Sequence, residues 1–282
     1  MHLPTKEHFS TLPLHEQAVL LTRLPAKTRQ EFILTSRRSL DLARTLSSET
    51  FFYTLKEIGL TDAVGLLAVA SPEQLRDMMD LDCWRKRELD DRRLLSWLMY
   101  LDEAGSSKLA EWALQADVEV LVLLVKRHFE VIRNADVADL LDFDYSSYFT
   151  FDDQYLLRFI GDEEPILHLL LERLRVLDYR FYTDILENSL FELETPLEEE
   201  AMRWRIARLA DRGYPDFEEA RDVLRAIQPE NVRLEPYQKD AFPPLEFAAD
   251  ERVIPPDHAL LFLSDVESFL GRALFTVGPA TL

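Results

Sequence analysis

A short phrase occurs twice in this chain and constrains its fold more than any other feature. Residues 62–82 run through two apolar segments broken at Ser71-Pro72 and leave through Asp80-Leu81-Asp82. Residues 118–144 repeat the plan and end Val137-Ala138-Asp139-Leu140-Leu141-Asp142-Phe143-Asp144. Each phrase reads as an apolar helix, a polar break, a second short helix and an Asp-apolar-Asp exit. One hairpin of this kind cannot bury its apolar face alone, so copies stack. With only 7 glycines in 282 residues, neither an all-β fold with many tight turns nor a glycine-rich nucleotide loop is expected. The strand–helix alternation of α/β enzymes is also missing. The expected class is mainly α: a solenoid-like stack of helical hairpins.

Local signals place the elements. Helices are expected over 14–24, from Pro25 with Phe32 and Ile33 inward, and from Ser47 or Ser48 to Ile58, where Gly59 supplies an exit. Ser71-Pro72-Glu73-Gln74 is a capping box with proline at the first helical position. Further helices are expected over 90–103, 118–131, 162–177, 179–193 and 217–227. A second capping box at Thr195-Pro196-Leu197-Glu198 is expected to launch a helix to Arg212, stopped by Gly213. The apolar 118–131 segment reads as central. Between 145 and 160 the period changes from helical to alternating. Tyr148-Phe149-Thr150-Phe151, a turn at Asp152-Asp153 and the segment 155–159 predict a small β-hairpin near residues 147–160.

Six of the 14 prolines fall at Pro229, Pro236, Pro243, Pro244, Pro255 and Pro256. That density excludes a long helix. The expected organisation is a helical hairpin stack over 1–228, a proline-rich connector over 229–256 that wraps the body, and a C-terminal helix within 257–282. The apolar final residues suggest the start of a further region.

Charge narrows the partners. The net charge is −20, with 18 Lys/Arg against 22 Asp/Glu in residues 1–140 and 14 against 30 in residues 141–282. Such a surface repels phosphate backbones and anionic membranes, so nucleic-acid binding is not expected. Basic proteins or divalent cations are its physical complement. The single Cys83 excludes an intramolecular disulfide and a multi-thiolate zinc cluster. No basic-then-apolar leader opens the chain, and no apolar run approaches the ~20 residues of a membrane span. These features predict a cytoplasmic protein.

The six histidines show no paired spacing, and there is no His-Glu-x-x-His, no Gly-x-Ser-x-Gly and no phosphate loop. His128 and Cys83 read as packed structural side chains, and no catalytic residue or resident cofactor is expected. The acidic residues are the metal candidates. Asp142, Asp144, Asp152 and Asp153, in a stretch with Asp162, Glu163 and Glu164 opposed by Arg158 alone, offer hard oxygen ligands suited to Mg²⁺. The carboxylates at Glu192, Glu194 and 198–200 read as helix-start residues. The partner-binding candidates are Trp84 and Arg85, grouped with Trp97 and Tyr100, and the row Arg205, Arg208 and Arg212. The row reads either as an anion contact or as an internal salt-bridge series against the excess carboxylates.

The residues 55–63 (Leu55-Lys56-Glu57-Ile58-Gly59-Leu60-Thr61-Asp62-Ala63), Ser71-Pro72-Glu73-Gln74, Asp80-Leu81-Asp82-Cys83-Trp84-Arg85 and the phrase 208–220 around Arg212-Gly213-Tyr214-Pro215 resemble a bacterial family of unknown function. Members of that family run longer than this chain. More loosely, the hairpin pattern resembles the helical N-domain of MgtE-type magnesium transporters and the middle domain of the flagellar switch protein FliG. The likeness implies a right-handed helical stack used for contacts or ion sensing, with no catalytic residues to carry over. The expected function is a non-enzymatic scaffold binding a protein partner through an extended acidic surface. The alternative is an Mg²⁺-responsive regulator using residues 142–164.

Overall fold

Some helix ends in the first half of the chain follow local capping chemistry. The Ser47 hydroxyl accepts the Thr50 amide at 3.2 Å to open α5 (Ser48–Ile58), and Gly59 closes it at φ +96°. The expected capping box forms at α7 (Pro72–Asp82): Gln74 N donates to Ser71 Oγ at 3.1 Å, and Ser71 N donates to Gln74 Oε1 at 2.9 Å. The same Gln74 amide donates to the carbonyls of Ala43 and Leu46 at 2.8 and 2.9 Å. It therefore caps its own helix and closes the end of α4 (Ser39–Thr45).

The computed structural model describes residues 6–215 and 217–223. The chain divides into two units, Met1–Arg225 and Ala226–Leu282. The expected connector over 229–256 and the helix within 257–282 lie outside the described residues. The fold is mainly α-helical, with two small antiparallel sheets. The remaining elements of the first part are α1 (Lys6–Thr11), α2 (Leu14–Thr22), α3 (Ala26–Thr35), α6 (Val64–Val69), α8 (Asp91–Ala104) and α9 (Ser106–Ala113). Between α7 and α8 a two-residue turn joins β1 (Trp84–Arg85) to β2 (Glu88–Leu89).

These helices pack on the next but one. One row runs α2, α4, α6, α8 and the other α3, α5, α7, α9. Successive hairpins thus bury each other's apolar faces. Gly65 in α6 lies so close to α3 that a Cβ there would stand 3.0 Å from Leu34 Cδ1.

The row continues into the second half. Helix α12 (Pro165–Leu177) packs on α8 and α9, and α13 (Tyr179–Phe191) packs on α12. Helix α10 (Val118–His128) is central: residues Val120, Leu121, Val122, Leu123, Leu124 and Val125 are all buried. It is covered by α13 and α14 (Glu194–Asp211). Helix α15 is described over Phe217–Val223.

Four expectations change. The 118–131 helix stops at His128, because Phe129-Glu130-Val131-Ile132-Arg133 is a strand, β3. It pairs with β4 (Tyr155–Phe159) in antiparallel register from Phe129↔Phe159 to Arg133↔Tyr155. The predicted local hairpin is present as a single bridge, Phe149↔Leu157. The main ladder of β4 is long-range instead, so the second copy of the repeated phrase carries a strand before its short helix α11 (Asn134–Val137). The second capping box does not form. Helix α14 begins at Glu194, and the Glu198 carboxylate accepts the Leu89 amide at 2.8 Å and pairs with Arg127 at 3.0 Å. A distant orphan amide and a cation outcompete the local cap. Helix α12 starts at Pro165 rather than 162, as proline at a first position allows. Among the described residues no helix is long and apolar enough to cross a membrane.

Candidate functional site

Helix α7 carries three inward carboxylates, Asp77, Asp80 and Asp82, and each is met by a cation from elsewhere. Asp77 accepts the Ser48 hydroxyl at 2.5 Å and pairs with Arg212, whose Nη1 also donates to Ser48 Oγ at 3.1 Å. Asp80 receives the Arg208 guanidinium through Nε at 2.7 Å and Nη2 at 2.9 Å. The other edge of Arg208 reaches Asp117 at 2.8 and 2.7 Å. Asp117 makes no side-chain cap on α10; its carboxylate is held by Arg208 instead. Asp82 accepts from Lys56, Arg93 and Trp97 Nε1 at 2.8, 2.7 and 2.9 Å.

The three environments separate the carboxyls. Burial pushes Asp77 and Asp80 up from their ordinary values, against the pull of Ser48 and Arg212 in one case and Arg208 in the other. Burial also acts on Asp82, but its bonds from Lys56, Arg93 and Trp97 outweigh that and hold it below the usual range. For Arg208, burial acts downward and the bonds to Asp80 and Asp117 more than reverse it, so the guanidinium stays charged. Charged groups matched in this way fix how the helices they join are placed on one another.

The structure therefore brings Arg205, Arg208 and Arg212 into an internal row along α14 and its C-terminal cap. Arg205 donates from Nε to the Asp80 carbonyl at 2.7 Å and lies 5.6 Å above the Trp84 ring. Trp84 thus belongs with the row. Arg85, by contrast, is exposed and pairs with Asp90 at 3.1 Å. Trp97 is buried and Tyr100 half-buried, its hydroxyl 3.4 Å from Thr61 Oγ1. The aromatic–arginine group expected around Trp84 is split between two faces of the hairpin.

The four candidate metal carboxylates are not gathered. Asp144 turns back on its own loop, accepting Ser146 Oγ at 2.5 Å, Ser147 Oγ at 2.6 Å and the Ser146 amide at 3.1 Å. Those bonds hold its carboxyl below the usual range. Asp152 closes the turn before β4, accepting the amides of Gln154 and Tyr155 at 3.0 and 3.2 Å and the Tyr179 hydroxyl at 3.1 Å. Asp153 takes φ +60° in that turn. Arg158 acts on Asp144 and stacks 5.0 Å over Tyr148, which places the 142–148 loop at the other end of β4. The two acidic groups are therefore separated by about 10 Å of strand. Among the described residues, no group of three or more His, Cys, Asp or Glu side chains is placed to hold a metal ion.

What remains open at the Arg158 end is an acidic and apolar surface. Leu141 is 101% exposed, and Leu140, Tyr145 and Ile160 are exposed as well. Asp139, Asp142, Asp162, Glu163 and Glu164 lie in the same segments. Arg158, the cation among them, pairs with Glu130.

The remaining nucleophile and base candidates are packed. Cys83 is buried, and burial pushes its thiol far up. His168 stacks against Phe149 and Phe151, at 5.0 and 4.7 Å between ring centroids. His128 Nε2 stands 3.9 Å from Asp91 Oδ2. Sequence reasoning missed the buried role of Asp77 and Asp80 and the cations Lys56, Arg92 and Arg93. A usable signal was present: five of the nine residues 85–93 are Lys or Arg in a chain of net charge −20.

Neither the curated proteins nor the solved structures contain a match to this chain. A family model does match, described as Family of unknown function (DUF6178), over residues 6–281. That span covers nearly the whole sequence, so the chain belongs to the DUF6178 family of unknown function.

Proposed function

We propose that this chain is a non-enzymatic helical scaffold that docks a basic protein partner on the acidic, apolar surface formed by residues 139–148 and 160–164. The observation that carries the reading is Leu141, fully exposed beside Asp139, Asp142 and Asp144. An apolar side chain held wholly in water contributes nothing to the fold, whereas burying it under a partner removes apolar area worth roughly 25 cal/mol per Å², which is set against the costs of association. The surrounding carboxylates set the sign of that partner's charge and speed its approach. The stacked hairpins suit the role because they present extended faces on a stiff frame. The looser resemblance to MgtE N-domains and the FliG middle domain implies the same kind of use.

The test is a photo-crosslinking amino acid at position 141, expressed in the native cell, with position 57 on α5 as control. The expected result is one basic chain crosslinked at 141 but not at 57, lost when Asp142, Asp162 and Glu163 are changed to Lys. Equal labelling at both positions, or an adduct indifferent to charge reversal, would overturn the reading.

A further inference from the structure

An open cleft of about 400 Å³ lies between α5, the β1–β2 hairpin and α8. Its wall includes Lys56, Arg85, Arg92, Arg93, Ser96 and Tyr100. Against these four cations stand two carboxylates, Asp82 and Asp90. Both carboxylates already have partners. Asp82 accepts from Lys56, Arg93 and Trp97, while Asp90 accepts the Arg93 amide at 3.1 Å and pairs with Arg85. They therefore act as anchors that hold Lys56, Arg93 and Arg85 in place before any ligand arrives. Arg92 is exposed and makes no ion pair among the described residues, and the hairpin tip adds Lys86 and Arg87 in the same condition.

A chain with an excess of 20 negative charges has carboxylates enough to neutralise such a group, yet here the local balance is positive. The general negative field does not cancel it, because salt screens charges beyond roughly 8 Å at physiological ionic strength. We propose that this cleft is a binding site for a phosphate monoester dianion. Guanidinium forks match the geometry of phosphate oxygens, two positive charges in excess match its charge, and the volume is that of a small-ligand pocket. This site is separate from the acidic docking surface and does not depend on it.

The test uses calorimetric titration of the whole chain with phenyl phosphate and, separately, inorganic phosphate, each against sodium chloride at matched ionic strength. Saturable binding of phenyl phosphate is expected, and Arg85→Ala with Arg92→Ala is expected to weaken it at least tenfold while the melting temperature of the free protein stays within a few degrees. Neither residue is buried, so the double variant folds. Inorganic phosphate binding as tightly as phenyl phosphate would assign the site to the free dianion; preference for phenyl phosphate would assign it to the ester. Wild-type heats no larger than those of sodium chloride, or a double variant that binds as tightly as wild type, would overturn the proposal.

Discussion

Arg208 and Asp80 lie 128 residues apart in the chain and are joined by two parallel hydrogen bonds of 2.7 and 2.9 Å. With Asp117 on the other edge of the same guanidinium, at 2.8 and 2.7 Å, the arginine ties α14 to α7 and to the start of α10. The contact fixes where the long helix of the second half lies on the hairpin rows of the first.

Arg208→Ala should cost about 3–5 kcal/mol, because it leaves buried carboxylates without a counter-charge. Urea unfolding at neutral pH checks this. Burial already raises the Asp80 carboxyl in the wild type, and without Arg208 it rises further. A carboxyl whose folded pKa exceeds its unfolded value carries a penalty that grows as pH rises between the two values and is absent below both. The deficit of the variant should therefore shrink as pH falls toward the ordinary 3.8. A deficit constant with pH would contradict this account.

Asp82 has the opposite sign. Its folded pKa lies below 3.8, so its ion pairs and bonds stabilise the fold above the unfolded value and that contribution is lost as pH falls through the depressed folded value. Asp82→Asn keeps an oxygen for the Trp97 indole but loses the charge shared by Lys56 and Arg93. The expected result is a variant less stable than wild type at pH 7, with the two stability curves converging in acid. Melting curves from pH 7 to pH 2 would show it.

Leu157 is fully buried and sits at the crossing of two pairings, opposite Val131 in the β3–β4 ladder and opposite Phe149 in the single bridge. Its amide donates to the Phe149 carbonyl at 2.8 Å. Leu157→Ala should cost about 2–5 kcal/mol, as large-to-small changes in a packed core do. Hydrogen exchange should show the β3 and β4 amides losing protection together in this variant. Loss confined to 147–160 would mean that β4 is held by its local hairpin alone.

Lys86 occupies the first position of the two-residue turn between β1 and β2 at φ +57°, a left-handed conformation that costs an L-residue roughly 1–2 kcal/mol. Glycine removes that strain and gives back about 0.5–1 kcal/mol in unfolded-chain entropy. Lys86→Gly should accordingly leave the melting temperature unchanged or raise it by a few degrees, despite deleting a side chain. A drop of several degrees would mean that the lysine makes a stabilising contact.

Much of the first half was legible because its signals are local. Ser47, Gly59, the Ser71–Gln74 box and Gly105 each act within one turn of their own helix, and each does what its residue type predicts. The β1–β2 hairpin was not legible, since neither a run of alternation nor a glycine marks it; α9 was not legible either, because Gly105 at its start reads as the stop of α8. In the acidic candidates the residue types were visible but their convergence was not: β4 separates Asp144 from Asp152, and a linear spacing of eight residues carries no information about that.

By itself, then, the sequence determined the helical class, the stacking of hairpins, the central place of the 118–125 segment and the surplus of negative charge. These follow from periodicity, capping and composition, which depend on neighbours within a few positions. The tertiary structure decided the partner of β4, the diversion of Glu198 from its cap to Leu89 and Arg127, and the fates of Arg205, Arg208 and Arg212. Those outcomes turn on competition among buried polar groups distant in the chain. A buried donor or carboxylate left unmatched costs more than a local cap returns, so the long-range partner prevails.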